Sequence, residues 1–281
     1  MGMWLVINAS WATRLAGLGL VSIILSAWLG PWLSPHDVEA MNWDALGQGP
    51  SWQHWFGTDD VGRDLFVRTM SGAQVSLSIA LLTTLVALAI GVPWGAIAGL
   101  SGGQLDQAMM RIVDGIYCLP GILVVILLVV MFGQNQYLIF AGLGAISWLD
   151  IARIVRAQTL QLRASPFIEA SRAMGAPTYW LLWRHVMPNV IGPIVVYTTL
   201  LIPGVILAES FISFLGLGIQ EPETSWGVLV ADGARQMESA PGLLLFPAAC
   251  LAITVWSLNI LGDRLRDRLD GEDVRQSTAR S

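Results

Sequence analysis

The sequence contains no lysine, and all 15 of its basic residues are arginine. A phosphate-binding P-loop requires a lysine, and so does Schiff-base chemistry, so the chain carries neither. If ATP drives this protein, a different chain must bind it. The only two cysteines, Cys118 and Cys250, lie in apolar runs and indicate neither a disulfide nor a metal site. The three histidines are scattered and lack the spacing of metal ligands.

Charge of either sign is scarce. Only 12% of the 281 residues are charged, whereas about a quarter is usual in soluble domains. Hydrophobic residues make up 54% of the chain, and the mean hydropathy is +0.62. This composition predicts a membrane protein. The net charge of −5 gives no reason to expect a nucleic-acid partner.

Six apolar segments have the length of a membrane span, which needs about 20 residues. The uncharged stretch 115–149 is too long for one helix, and the turn at 133–136 divides it into a third span and a shorter fourth one. We therefore predict an all-α polytopic membrane protein with one domain, 1–281. It has a core (71–267), an N-terminal span with an outer loop (13–70) and a short tail (268–281). The predicted spans are 15–33, 75–100, a segment ending near 132, about 137–151, 190–215 and 243–262.

The arginines are distributed unequally between the two sides of such a bundle. With the N-terminus in the cytoplasm, twelve arginines lie on the inside and three on the outside. Positive charge is retained on the cytoplasmic side of membrane proteins, so both termini are predicted to be cytoplasmic. The outer arginines are Arg63, Arg68 and Arg235, and the inner ones are Arg14, Arg111, Arg153, Arg156, Arg163, Arg172, Arg184, Arg264, Arg266, Arg268, Arg275 and Arg280.

A polar segment between the fourth and fifth spans predicts two short helices joined at a glycine. Ser165 is a suitable N-cap and Pro166 a suitable first residue of a helix. Glu169 lies near the positive end of that helix dipole. Gly175 can adopt the left-handed conformation that ends a helix. We expect a second helix from Thr178 to Met187, ended by Pro188.

The spacing Glu169-Ala-Ser, then Gly175, then Pro188 resembles the "EAA" loop of permeases in binding-protein-dependent ABC importers. Here Ser171 replaces the second alanine, and His185 and Met187 replace the isoleucine and leucine of the family pattern. The resemblance implies that this segment, 165–188, which we call the coupling loop, contacts a cytoplasmic ATPase. A plain connection between two helices is the alternative. The implied contact residues are Ser165, Pro166, Phe167, Ile168, Glu169, Ala170, Ser171, Gly175, Ala176, His185 and Pro188.

Three further motifs occur in the order found in C-type permeases of oligopeptide, dipeptide and nickel importers. They are Gly-Thr-Asp-x-x-Gly-Arg-Asp (57–64), Phe-Leu-Gly-Leu-Gly (214–218) followed by Ser-Trp-Gly (225–227), and Gly-Asp-x-Leu-Arg-Asp (262–267). We expect the first to cap the outer end of the second span, and the glycines of the second to let the chain leave the fifth span. The stretches at 133–135 and 148–156 favour the oligopeptide branch.

The resemblance implies a type I ABC importer permease in a bacterial inner membrane, embedded in the lipid bilayer. Its implied partners are a B-type permease, two cytoplasmic ATP-binding subunits, an extracytoplasmic peptide-binding protein and the peptide substrate. ATP and Mg would be bound by the ATPase subunits, so this chain would hold no cofactor and no metal and would catalyse no reaction. A nickel or other small-solute importer of the same family remains an alternative, and a secondary transporter or channel is a third reading.

Three residues are candidates for lining the substrate path: Glu209, Asn135 and Trp148. Glu209 is an acidic residue well inside an apolar segment, and such carboxylates are expensive in a membrane and usually functional. It lies toward the outer end of the fifth span, however, so a structural role at the interface is the alternative. A ridge of Gly91, Gly95 and Gly99 predicts a close helix–helix contact, either within the chain or in a dimer.

Overall fold

The structure, a computed structural model, describes residues 11–278, with side chains from 11 to 269. Its long regular elements are all helices, so the predicted all-α class is confirmed. In chain order they are α1 (Trp11–Leu33), α2 (Leu65–Ser101), α3 (Gly103–Tyr117), α4 (Gly121–Phe132), α5 (Gln136–Arg163), α6 (Pro166–Ala173), α7 (Thr178–Leu217), α8 (Trp226–Arg235) and α9 (Gly242–Thr278).

Five of these helices, α1, α2, α5, α7 and α9, are long and apolar enough to cross a membrane. A sixth span results if α3 and α4 are taken together, although they are bent by 69° where they meet. The sequence predicted a single third span here. Pro120 stands immediately before α4, and because it has no backbone N–H it cannot continue the hydrogen bonding of α3.

The helix bundle has two ends, which we call the loop face and the opposite face. The loop face carries the coupling loop, together with the end of α2 and the end of α5. The opposite face carries the segments 34–64 and 218–241, which connect α1 to α2 and α7 to α9. Helix α7 therefore begins at the loop face and ends at the opposite face.

The fourth span was predicted from about 137 to 151, and the helix that contains it, α5, continues beyond Ile151 to Arg163. In this extension Arg156 forms two hydrogen bonds with Asp106, and Arg153 donates to Asp114 at 2.8 Å. These contacts hold the end of α5 against α3. Helix α9 likewise continues through the predicted tail to Thr278, and residues 279–281 lie outside the described residues.

The second helix of the coupling loop was predicted to stop at Pro188, which is also wrong. It is the first part of α7, and the fifth span follows it without interruption. Pro188 is tolerated because it occupies one of the first two positions of the α-helical segment Met187–Ile212, directly after a π-helical turn at Leu182–Val186. Such a turn shifts the hydrogen-bond register, so the missing N–H of proline is accommodated.

The glycine ridge of α2 packs against α5 within the chain. A side chain at Gly91 would approach the carbonyl oxygen of Trp148 to 2.6 Å, and one at Gly99 would approach Thr159 to 2.7 Å. At Gly95 the carbonyl oxygen of Ala152 is closer still. The small residues therefore allow two backbones to lie in contact, and the ridge forms an intramolecular seam.

Candidate functional site

The coupling loop begins with a short helix that ends in a complete glycine motif. Gly175 has a φ of +84°, as its sequence position predicted. Its N–H donates to the carbonyl of Arg172 at 2.9 Å, and the N–H of Ala176 donates to the carbonyl of Ser171 at 3.1 Å. These two bonds define a Schellman motif, which fixes the angle at which the chain leaves α6.

The beginning of α6 is as predicted in backbone but not in side chain. Pro166 occupies the first turn, and Ser165 has the extended conformation of an N-cap. The Ser165 hydroxyl, however, donates to the carbonyl of Leu162 at the end of α5 and makes no capping bond to α6. It therefore closes the preceding helix rather than opening the next one.

The inner face of α6 is anchored to the bundle. Ile168 is fully buried in a cluster that includes Leu181 and Val186 of α7. Arg172 reaches across to donate to the carbonyl of Leu100 at 2.7 Å, at the end of α2. A cation placed at the negative end of a helix is favourable, so this contact holds α6 against α2.

His185 stands in an aromatic environment between the two helices of the loop. Its ring lies 4.9 Å from that of Trp180 in an edge-to-face arrangement and 5.6 Å from that of Phe167. Its buried Nε2 has no hydrogen-bond partner in the described part of the chain. The imidazole thus packs as an apolar ring, which is the role that an isoleucine would have at this position.

The outer face of the coupling loop is apolar and aromatic. Met174 is 81% exposed, and Tyr179 and Trp183 are each about 70% exposed. Glu169 and Ala170 lie on the same exposed side of α6. Of the predicted contact residues, Ile168 and Ser171 face inward. Those exposed to solvent are Pro166, Phe167, Glu169, Ala170, Gly175 and Pro188. The exposed aromatic residues of α7 were missed, although they stand just before Arg184 and His185 in the sequence.

On the opposite face, two of the sequence motifs contact each other. Asp59 accepts hydrogen bonds from the side chains of Arg63 at 2.7 Å and Arg68 at 2.6 Å. Arg63 also forms an ion pair of 2.8 Å with Glu221, which follows α7. The sequence suggested Thr58 or Asp59 as the cap of α2, but the cap is Asp64, whose carboxylate accepts from the N–H of Val67.

The electrostatics of this cluster favour the ionised carboxylate. Burial alone would raise the pKa of Asp59, but the hydrogen bonds from Arg63 and the positive charges of Arg63 and Arg68 outweigh it, so the pKa lies below its ordinary value. The pKa of Arg63 is raised, because its contacts with Asp59 and Glu221 outweigh its burial. A cavity of about 400 Å³ adjoins the cluster and is also lined by Asp232 and Gln236.

Two histidines that are scattered in the sequence meet on this face. The rings of His36 and His54 stack with their centroids 4.5 Å apart, and His54 Nδ1 lies 2.8 Å from Asp64 Oδ2. One ligand-type atom of each of the three residues lies within 4.8 Å of the others. The two rings are inclined to each other by 23°, which is a stacked arrangement. The arrangement is therefore that of a stacked, hydrogen-bonded pair.

The three candidates for the substrate path are not brought together. Asn135 caps α5 by accepting from the N–H of Tyr137 at 2.8 Å. Trp148, half-way along α5, is buried against Trp94 of α2, with ring centroids 5.2 Å apart. Glu209 is 0% exposed and accepts hydrogen bonds from Ser76 and Ser213. In this conformation all three make contacts that hold helices in place.

Relatives of known name resemble the chain over most of its length. It is 46% identical over 256 residues to the oligopeptide transport system permease protein OppC of Haemophilus influenzae, covering 90% of this chain and 82% of that protein. It is 48% identical to OppC of Escherichia coli K12, with 90% and 85% covered. The dipeptide transport system permease protein DppC of Bacillus subtilis is 44% identical, with 89% and 79% covered.

A solved structure has the same fold. A chain of the methionine ABC transporter MetNI in an inward-facing conformation superposes with a TM-score of 0.60, covering 72% of this chain and 95% of that one, at 20% identity. The predicted type I importer permease fold is thereby confirmed. Residues 91–272, which include the coupling loop, match the family described as "Binding-protein-dependent transport system inner membrane component". This chain belongs to that family of ABC importer permeases.

Proposed function

We propose that this chain is the C-type permease subunit of an importer of oligopeptides or dipeptides in a bacterial inner membrane. The proposal is supported by the names of the relatives, which are permeases for oligopeptides and dipeptides and, at 37% identity, for glutathione, itself a small peptide. The partners would be a B-type permease, two ATP-binding subunits and an extracytoplasmic peptide-binding protein. The alternative hypothesis, a nickel importer of the same family, has no such support among these relatives.

The main structural support for this proposal is the surface of the coupling loop. A short helix with a buried inner face and an exposed apolar outer face needs a partner to cover it, and Met174, Tyr179 and Trp183 are large side chains of the kind that anchor protein interfaces. We assign this surface to the groove of an ATP-binding subunit. ATP and Mg then belong to that subunit, and this chain supplies neither a nucleotide site nor a catalytic group.

The orientation follows from this assignment. The loop face is cytoplasmic, the opposite face is outside, and both termini are cytoplasmic. The arginine distribution supports the same orientation. The outer face would then receive the peptide-binding protein, near the cluster of Asp59, Arg63 and Glu221.

The continuity of α7 supplies a mechanism. Closure of the ATPases on ATP would displace α6 and the start of α7 together, since Ile168 and Leu181 pack in one cluster. Because no break separates this region from the fifth span, the displacement would tilt the span itself. Alternating access would follow without a separate linker, and hydrolysis would return the helices to their starting positions.

The test is transport by the complete complex, with two substitutions to valine in α6 and its turn. Gly175→Val forces a β-branched residue into a left-handed conformation, at a cost of about 1–3 kcal/mol. Ala173→Val, two residues earlier and exposed on the helix, is the matched control. Binding-protein-stimulated ATPase activity and peptide uptake should fall in the Gly175 variant and stay near the wild-type level in the control. Full peptide uptake in the Gly175 variant would show that the coupling loop is a plain connection between helices.

The substrate class needs its own measurement. Liposomes holding the wild-type complex should accumulate labelled peptides only with ATP and the binding protein, and they should not accumulate nickel. Uptake of nickel in place of peptide would select the other branch of the family. Uptake by this chain alone without ATP would instead indicate a secondary transporter or channel.

A further inference from the structure

Glu209 is the centre of a buried polar node near the outer end of α7. Its Oε2 accepts a hydrogen bond from Ser76 of α2 at 3.1 Å, and its Oε1 accepts one from Ser213 at 2.8 Å. The Ser76 hydroxyl in turn accepts the N–H of Trp226, the first residue of α8, at 3.3 Å. Ser213 lies 3.5 Å from the hydroxyl of Ser225, the N-cap of α8. One carboxylate thus joins three helices.

The start of α8 is packed tightly against the same two helices. Trp226 is fully buried, and its Nε1 donates to the carbonyl of Thr69 on α2 at 3.1 Å. A side chain at Gly227 would lie 2.5 Å from Ser210 of α7, and one at Gly72 would lie 3.1 Å from Ser225. The Ser-Trp-Gly motif therefore consists of residues that cap α8, fill the space between helices and allow close approach.

A buried carboxylate is an expensive way to hold helices together. An apolar side chain of similar size would fill the space without the cost of removing a charge from water. The carboxylate differs in one respect, because it accepts directional hydrogen bonds from two helices at once. Such a node specifies one arrangement of α2, α7 and α8, whereas an apolar contact would let them slide.

We propose that Glu209 is a positioning residue that couples α8, on the outer face, to the movement of α7. The inference rests on the function proposed above. The coupling loop lies at the start of α7, and Glu209 lies about 45 Å further along the same helix. A displacement at the loop reaches the node through continuous helix, and the node transfers it to α8. Glu209 therefore serves the passage of peptide without lining its path.

The experiment compares Glu209→Gln with Glu209→Leu in the complete complex in liposomes. The amide of glutamine can still accept from one serine and donate to the other, so uptake should remain within about twofold of wild type. In the leucine variant we expect an assembled complex whose peptide uptake per ATP hydrolysed falls about tenfold, because the outer helix no longer follows α7. The ratio of cationic to neutral peptide uptake should stay constant in both variants.

Several outcomes would overturn the inference. Normal uptake per ATP in Glu209→Leu would leave the residue a packing role, and a selective loss of cationic peptides in Glu209→Gln would place it in the substrate path. If Glu209→Leu does not assemble, Ser76→Ala is the deciding variant, since it removes one hydrogen bond of the node but keeps the carboxylate. Unchanged peptide uptake per ATP hydrolysed in Ser76→Ala would then overturn the inference. Peptide uptake by the wild-type complex tests the proposed function separately, whatever these variants show.

Discussion

Arg63 and Glu221 form an ion pair of 2.8 Å across the opposite face of the bundle, between the loop that precedes α2 and the loop that follows α7. Arg63 belongs to the motif at 57–64, and Glu221 lies between the two parts of the second motif, 214–218 and 225–227. Arg63 is held on its other side by Asp59, which also binds Arg68. The two motifs are therefore parts of one structure, whose centre is the buried Asp59 and whose edge is Glu221, 56% of whose side chain is exposed.

The two carboxylates of this cluster should differ in their contribution to stability. Asp59→Asn removes the buried counter-charge of two largely buried guanidinium groups and leaves them only the half-exposed Glu221, so we expect a loss of about 3 kcal/mol. Glu221→Gln removes an exposed charge and should cost about 0–1 kcal/mol. Thermal unfolding of the two purified variants in detergent measures the difference. Equal melting temperatures would show that Asp59 is not the centre of the cluster.

The depressed pKa of Asp59 predicts a specific pH dependence. A carboxylate whose pKa is lower in the folded state stabilises it fully above the ordinary value of 3.8, and this contribution disappears as the pH falls through the folded pKa. The difference in melting temperature between the wild type and Asp59→Asn should therefore be constant between about pH 5 and 8 and decrease below pH 4. A difference that already declines at pH 6 would point to another group.

The glycine seam between α2 and α5 should tolerate no side chain. Gly95→Ala places a methyl group against the carbonyl oxygen of Ala152, and overpacking of this kind costs about 1–3 kcal/mol. Gly204→Ala on α7 is the matched control, because a methyl group there would meet no neighbouring part of the described chain within 4 Å. It should be neutral or stabilise the helix by up to about 1 kcal/mol. Similar melting temperatures of the two variants would contradict the seam.

The sequence was sufficient for the fold class and for features that depend on local chemistry. The apolar segments predicted six spans, and the structure has five helices that could cross a membrane, or six if α3 and α4 form one span. Gly175 has the left-handed conformation that its position required. The helix ends were less predictable. Arg153 and Arg156 were expected beyond the end of the fourth span. Their partners Asp114 and Asp106 come from α3, and such a pairing cannot be predicted from either segment alone.

Contacts between distant segments also limited the prediction of the functional and buried polar sites. Pro188 does not end a helix because a π-helical turn precedes it, and that turn leaves no signal that periodicity can detect. His36 and His54 are close only because the loop before α2 folds back on itself, with Gly62 packed against Asn42. Glu209 was identified from its sequence position, but one of its serine partners, Ser76, lies on α2, 133 residues earlier in the chain. Contacts between distant segments decide the role of such residues.

The orientation of the chain can be tested with single cysteines. Ser239 is exposed on the opposite face and Met174 on the loop face, so each can be replaced in a background without Cys118 and Cys250. In intact cells an impermeant thiol reagent should label Ser239→Cys and not Met174→Cys. In permeabilised cells without the ATP-binding subunits, which would otherwise cover Met174, both should be labelled. Labelling of Met174→Cys alone would reverse the orientation and with it the assignment of the coupling loop.

The last prediction concerns the anchor of the coupling loop. Arg172→Ala removes the hydrogen bond to the carbonyl of Leu100, through which α6 contacts the end of α2. The contact is partly solvated, so its loss should cost about 1 kcal/mol and raise the rate of local opening about fivefold. Amide hydrogen exchange in residues 166–176 should accelerate by that factor, while exchange within α2 at Gly91 and Gly95 stays the same.

Arg111→Ala, which replaces an exposed arginine of α3, is the control and should leave exchange in both regions unchanged. Because an ATPase can move only what is firmly held, the Arg172 variant should also show weaker stimulation of ATP hydrolysis by the binding protein. Unchanged exchange in α6 would mean that Ile168 and its apolar neighbours hold the loop without help from the arginine.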